Sequence, residues 1–161
     1  MDTIKSLKQS IAITMWDSSW IRRRYAGGGF ENWDTALNEL QDRGYDAVRI
    51  DAYPHMVASD ITGKVVEKFR DLPGFGFHTY GFAGWGSQWT VYIQPRKDLV
   101  EFVQKCKDHK IQVGLATWLK PAEIRRNEML EGSADMVRIW DETLRLLADH
   151  NCLDNILYVE V

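Results

Sequence analysis

The sequence predicts an α/β fold in which parallel strands alternate with crossover helices. Four short β-rich runs are separated by segments long enough to hold a helix, and they are Ile11–Trp16, Ala47–Ile50, Ile111–Thr117 and Ile156–Val161. Parallel strands need such helix-length connections, which are right-handed. With 161 residues, 45% of them hydrophobic, the chain can bury one core. Two architectures remain open: a doubly wound sheet, and part of a (β/α)8 barrel.

The charge balance excludes several classes of partner. Lys and Arg number 20 against 23 Asp and Glu, which gives a net charge of −3 and no basic surface for nucleic acid. No apolar run approaches the roughly 18 residues that a membrane span needs. The apolar stretch after Lys5 and Lys8 is too short for a signal-peptide core. The chain as written therefore predicts a cytoplasmic protein, or one that has lost its leader.

The first half of the chain predicts a strand, a helix and a second strand. Ile11–Trp16 is apolar at nearly every residue, as a strand covered on both faces would be. A helix is predicted from Glu31 to Arg43, with Asn32 as its N-cap. Gly44 ends that helix at a position that favours a left-handed residue. The second strand, Ala47–Ile50, follows directly.

A long aromatic-rich loop insertion is predicted after the second strand, over residues 54–94. It holds a short helix around residues 59–70, followed by glycines interleaved with aromatic residues over residues 73–86. Pro95 begins the next helix. After the third strand, a short helix is predicted over residues 121–130, and Ser133 caps a longer helix that leads to the last strand.

No cofactor or metal site is predicted. Cys106 and Cys152 lack the number and spacing of a disulfide framework or a zinc site, and Asp51 with His55 makes too small a ligand set. The glycine triplet of residues 27–29 lies too far from the first strand for a phosphate-binding turn. A flavodoxin-like domain that binds a phosphate-bearing cofactor near Gly27–Phe30 is kept as an alternative.

The residues at the strand ends favour the barrel over the open sheet. Trp16 and Asp17 end the first strand, and Asp51 with Tyr53 ends the second. Trp118, with Lys120 close behind, ends the third. In a barrel the carboxyl ends of the strands converge on one face, where ligands bind.

Two short motifs carry a family resemblance. The run Gly44–Ile50 resembles the second-strand motif of the retaining (β/α)8 glycoside hydrolases that include the family-five cellulases. Tyr158–Val161 resembles the fourth strand of that clan, in which a similar glutamate shortly precedes an Asn-Glu pair. The resemblance implies that Arg49 orients the nucleophile. It also implies that the acid/base and nucleophile glutamates lie beyond Val161, so no residue of this chain is assigned a catalytic role.

The resemblance therefore implies that residues 1–161 form a single half-barrel, truncated at strand four. A full barrel takes about 250 residues. We expect no hydrolytic turnover from the chain alone, because a retaining glycosidase needs two carboxylates. The edge strands would be unpaired, so a second copy of the chain or a separate C-terminal half is the expected partner.

The predicted ligand is a carbohydrate. Sugars present flat C–H faces and hydroxyl rims, which indoles and paired polar groups recognise, and this chain has seven Trp. Trp33 and Trp140 lie on apolar helix stripes and are predicted to be core. The candidate substrate-binding residues lie at strand ends and in the loops after them, and they are Trp16, Asp17, Trp20, Arg49, Asp51, Tyr53, His78, Trp85, Trp89, Trp118 and Lys120.

Two alternatives accompany these candidates. Arg49 lies in an apolar strand and needs a partner there. Asp51 on the same side could form a structural ion pair with it, or Arg49 could position a carboxylate of the missing half. The loop tryptophans could equally cap the barrel. A non-catalytic carbohydrate-binding domain is the second functional hypothesis.

Overall fold

A computed structural model describes residues 10–60, 62–71, 89–117 and 134–161. The strands are β1 (Ile13–Asp17), β2 (Ala47–Asp51), β3 (Phe69–Asp71), β4 (Val91–Ile93), β5 (Gln112–Ala116) and β6 (Ile156–Val159). The helices are α1 (Ser19–Arg22), α2 (Trp33–Asp42), α3 (Pro54–Val57), α4 (Pro95–Asp108) and α5 (Ala134–Asp149), with a 3-10 turn at Leu153–Asn155. In these ranges no helix has the length and apolar character of a membrane span.

The main sheet confirms the predicted parallel α/β fold. Among the described residues it has four strands in the order β1-β2-β5-β6, all parallel to their neighbours. Each new strand is added on the same side of the last, so right-handed crossovers place the helices on one face, as in a (β/α)8 barrel. A doubly wound sheet reverses its strand order at a switch point. The described strands show no such reversal, which argues against the flavodoxin-like alternative.

Helix α2 shows how local sequence sets an element's limits. The Asn32 side chain accepts hydrogen bonds from the backbone N–H groups of Asp34 and Thr35, at 2.9 and 3.2 Å. These bonds satisfy donors that the first helical turn leaves unpaired. Gly44 has a φ of +79° just after the helix, as predicted.

One face of the sheet is covered by helices and forms the core. On this covered face Val48, Ile50, Val113 and Leu115 are fully buried. They pack in one cluster with apolar residues of α2, α4 and α5. The Phe102 ring lies centrally, with centroids 5.0 to 6.0 Å from those of three tryptophans, Trp16, Trp20 and Trp33. Trp33 and Trp140 are both buried, which confirms their assignment to the core.

The opposite face of the same strands is the open face. Met15, Arg49, Gly114 and Tyr158 are register partners across β1, β2, β5 and β6, so they form one row. Met15 is 59% exposed. In the described part of the chain only alternate residues of β1 meet the helices, so one face of this strand is uncovered where the sequence predicts cover on both.

The helix predicted over residues 59–70 is also wrong. The chain forms α3 earlier, and the Asp60 carboxylate then accepts hydrogen bonds from the N–H groups of Thr62 and Lys64, at 2.8 and 3.0 Å. Aspartate bonded to nearby backbone competes with helix, and Gly63 has a φ of +81°. Strand β3 follows and forms an unpredicted antiparallel pair with β4. The segments predicted over residues 73–86 and 121–130 lie outside the described residues.

Candidate functional site

The Arg49 side chain joins two carboxylates at the carboxyl ends of the strands. Its Nε and Nη2 groups donate to the two carboxylate oxygens of Glu160, at 2.8 and 3.1 Å. Its Nη1 group donates to Asp17 Oδ1 at 2.5 Å and lies 3.3 Å from the Met15 sulfur. The Arg49 side chain is only 12% exposed, so its charge is held largely by these partners. Both carboxylates that Arg49 contacts here belong to this chain, so its predicted role in positioning a carboxylate of the missing half stays a prediction.

Asp17 is brought to Arg49 by an irregular strand end. The register between β1 and β2 shifts between Met15 and Asp17. Asp17 also has a φ of +43°, in the left-handed region. Such a backbone costs on the order of 1–3 kcal/mol, and both bulges and strained residues cluster at functional sites.

Glu160 belongs to the site, although it is absent from the predicted candidates. Its N–H donates to the Leu115 carbonyl oxygen at 2.7 Å, which continues the β5–β6 ladder past β6. The hydrogen bonds from Arg49 hold the pKa of Glu160 below its ordinary value, and those to Glu160 raise the pKa of Arg49. The sequence does contain a signal for Glu160. It lies two residues after Tyr158, and side chains two residues apart in a strand lie on the same face of the sheet.

Three predicted site residues lie beneath the site rather than in an open cleft. Trp20 is fully buried, and its indole N–H donates to the Asp51 carbonyl oxygen at 2.9 Å. Asp51 is 2% exposed and accepts a hydrogen bond from the Tyr53 N–H at 3.0 Å. Tyr53 is fully buried, with a φ of +51°. These contacts shape the turn after β2, and Trp20 and Tyr53 expose no ring face to a ligand.

The remaining candidates divide between two tryptophans in the described ranges and residues outside them. Trp16 is half-buried and lies edge-on to Phe30, with ring centroids 5.0 Å apart. Its side chain thus packs on the covered face. Trp89 is 63% exposed, just before β4. The other candidates, His78, Trp85, Trp118 and Lys120, lie outside the described residues and stay predictions.

The arrangement suits the binding of polyhydroxylated ligands. Two carboxylates share one guanidinium, so together they carry a net negative charge and accept hydrogen bonds from hydroxyl groups. Glu160 keeps 55% of its side chain exposed. Over the described ranges, no group of three or more His, Cys, Asp and Glu side chains is placed to hold a metal.

Comparison with known proteins gives the family to which this fold belongs. Residues 13–161 match the cellulase-like family described as sugar-binding and cellulase-like, and the chain belongs to that family. No curated protein matches it.

Two solved structures are similar to the chain. A Parabacteroides distasonis protein provisionally assigned as a glycoside hydrolase is 38% identical, with a TM-score of 0.74. An endocellulase from Pyrococcus horikoshii, solved in complex with cellotetraose, is 13% identical with a TM-score of 0.52, which bears on the fold alone. Each match covers 92% of this chain. The chain spans only 37% and 36% of those two proteins.

Proposed function

We propose that this chain supplies the sugar-binding half of the cleft of a glycoside-hydrolase-like barrel. Hydrolysis of an O-glycosidic bond then depends on acid/base and nucleophile glutamates from later strands. The family match and the order of the parallel strands support the first part of the proposal. The second part draws support from the longer relatives, of which the chain spans little more than a third.

One observation carries the proposal: Arg49 of β2 bridges Asp17, at the end of β1, and Glu160, just after β6. A guanidinium fork holds a carboxylate in one orientation, because two parallel hydrogen bonds fix both oxygens. Glu160 is thereby held as an ionised acceptor for sugar hydroxyls. It is also half exposed, so a ligand can reach lone pairs that Arg49 leaves unused.

The same pairing makes Glu160 unsuited to act as the general acid. A general acid that works near neutral pH needs a raised pKa, so that it still carries its proton. Hydrogen bonds from Arg49 lower the pKa of Glu160 instead. We therefore assign Glu160 to binding and to positioning, and assign proton transfer to a carboxyl beyond Val161.

The aromatic platforms in this proposal come mainly from the loops. Trp89 is 63% exposed and keeps its predicted binding role. His78, Trp85, Trp118 and Lys120 retain the binding role predicted from the sequence, while Trp20 and Tyr53 support the site from the core. Strands β1 and β6 are the outer strands of the described sheet, so a second copy or a separate C-terminal half remains the proposed partner.

The test is titration calorimetry of the purified chain with cellotetraose, alongside an assay for released reducing ends. We expect binding without hydrolysis. Arg49→Lys should weaken binding about 10-fold or more, because lysine cannot reproduce the two-pronged contact. Arg43→Lys is the matched control, since Arg43 is exposed on the far end of α2 and pairs only loosely with Glu39, at 3.6 Å.

Each outcome separates the hypotheses. Hydrolysis by the chain alone would contradict the assignment of the catalytic carboxylates to later strands. Binding that Arg49→Lys leaves unchanged would contradict the assigned site. Strong binding by the chain that gains nothing from a supplied C-terminal half would favour the alternative of a non-catalytic carbohydrate-binding domain.

A further inference from the structure

Tyr158 lies beside Arg49 on the open face, in a position that one glycine makes possible. A Cβ atom added to Gly114 would lie 2.4 Å from Tyr158 Cζ and 2.6 Å from its hydroxyl oxygen. Real Cβ atoms do not approach other atoms so closely, so the phenol ring lies directly over the Gly114 backbone. Any larger residue at 114 would displace the ring.

The strand register brings this ring toward Arg49. Gly114 is paired with Tyr158 on one side and with Arg49 on the other. The ring therefore extends from β6 across β5 toward β2, over strands spaced about 4.8 Å apart. The register between β5 and β6 shifts between Val113 and Gly114. This is the second irregularity in strand pairing next to the row of Met15, Arg49, Gly114 and Tyr158.

The chemical state of Tyr158 suits hydrogen-bond donation. Burial raises the pKa of Tyr158 above its ordinary value. The positive charge of Arg49 opposes this rise, and the negative charge of Glu160 adds to it. The phenol is thus neutral and keeps its proton at physiological pH. Within the described part of the chain its hydroxyl has no hydrogen-bond partner, whereas the Arg49 nitrogens contact Asp17, Glu160 and Met15.

We infer that Tyr158 contacts the bound saccharide through its hydroxyl, and that Gly114 is the positioning residue that lets the ring lie there. This inference rests on the proposed function, and it adds two residues, Tyr158 and Gly114, to which the proposed function gives no role. A sugar hydroxyl both donates and accepts hydrogen bonds. Glu160 is the acceptor for it and Tyr158 is the neighbouring neutral donor. Arg49 acts through the carboxylates that it holds.

The test is titration of the full chain and its variants with cellotetraose. Tyr158→Phe removes only the hydroxyl and should weaken binding about 3- to 10-fold, the range for one neutral hydrogen bond. Tyr45→Phe is the matched control, because Tyr45 precedes β2 at the amino ends of the strands and should bind as the unmodified chain does. Equal affinity of Tyr158→Phe and the unmodified chain would overturn the inference while leaving the proposed function in place.

A second variant tests the role of Gly114 without any sugar. Gly114→Ala should push the phenol off the sheet, so the pKa of Tyr158, followed by NMR of ring-labelled tyrosine, should fall toward its ordinary 10.0. An unchanged pKa in a folded Gly114→Ala chain would overturn the positioning role. If the unmodified chain binds no cellotetraose while the pKa falls as expected, the proposed function and the saccharide contact fail together, and only the ring geometry stands.

Discussion

The two faces of the main sheet are formed by alternate residues of the same strands, yet one face is apolar and buried and the other carries charged side chains. On the covered face Val48 and Ile50 are fully buried against helices. Between them in β2, Arg49 points to the open face and holds two carboxylates. Apolar burial of this kind supplies most of the free energy of folding. The open face carries a charged network in place of apolar contacts, and under the proposed function that network holds the ligand-binding carboxylates.

The largest effect should follow from a truncation on the covered face. Phe102 is fully buried and its ring contacts three tryptophans. Phe102→Ala should lower the free energy of unfolding by about 3–5 kcal/mol, from lost burial and a residual cavity. Urea unfolding measures this change.

The matched substitution on the open face is Met15→Ala. Met15 is 59% exposed, so its removal should lower the free energy of unfolding by less than about 1 kcal/mol. Equal losses in Phe102→Ala and Met15→Ala would contradict the division between the two faces.

The next variant, Arg49→Met, tests whether the charged network also contributes to stability. Arg49→Met leaves the Asp17 carboxylate, whose side chain is 7% exposed, without its guanidinium partner. We expect a loss of about 1–3 kcal/mol in the free energy of unfolding. Adding Asp17→Asn to Arg49→Met should restore part of that loss, because the uncompensated charge is gone. Strictly additive losses in the double variant would show that Asp17 and Arg49 are not coupled.

A smaller effect concerns helix α2, which packs on the covered face. Asn32→Ala removes the side chain that accepts from two backbone N–H groups, and should cost about 1 kcal/mol of stability. Affinity for cellotetraose should not change, because the two hydrogen bonds of the Asn32 side chain go to the backbone of α2 and not to Asp17, Arg49 or Glu160. A change in affinity with unchanged stability would reverse the roles assigned to the two faces.

The smallest effect is a pH dependence on the helix side. Hydrogen bonds from Lys105 and His109, at 2.6 and 3.1 Å, lower the pKa of Asp34 below its ordinary 3.8. A carboxyl with a lowered folded pKa stabilises the fold above its unfolded pKa, and that contribution disappears as the pH falls through the folded pKa. Asp34→Asn should therefore lose less stability than the unmodified chain as the pH falls past 3.8 and through the lowered pKa of Asp34. Parallel acid unfolding curves for the two chains would contradict this.

The sequence predicted the parallel strands and their helices because burial imposes a periodic pattern on them. Helix α4 begins at Pro95, as predicted, and β2 differs from its predicted limits by one residue. The antiparallel pair of β3 and β4 was not predicted, because two three-residue strands are too short to show alternation. The helix predicted over residues 59–70 failed because the bonding of Asp60 to its own turn leaves no periodic signal.

The site was harder to predict than the fold. Asp17 and Arg49 were among the candidates, because charged residues at the ends of apolar strands stand out in a sequence. Trp20 and Tyr53 were assigned to the ligand from their place after strands. The structure places both in the core, because the short helix α1 and the turn after β2 fold back beneath the strand ends. Such turns are set by tertiary contacts that a pattern of residue types does not contain.

The central claim is that the open face binds the saccharide. The most direct test is an NMR titration of the isotopically labelled chain with cellotetraose, following every assigned backbone amide. The account predicts shift changes concentrated at Asp17, Tyr158 and Glu160, with the amides of α2 and α4 unchanged. Shift changes confined to the helices of the covered face would contradict it.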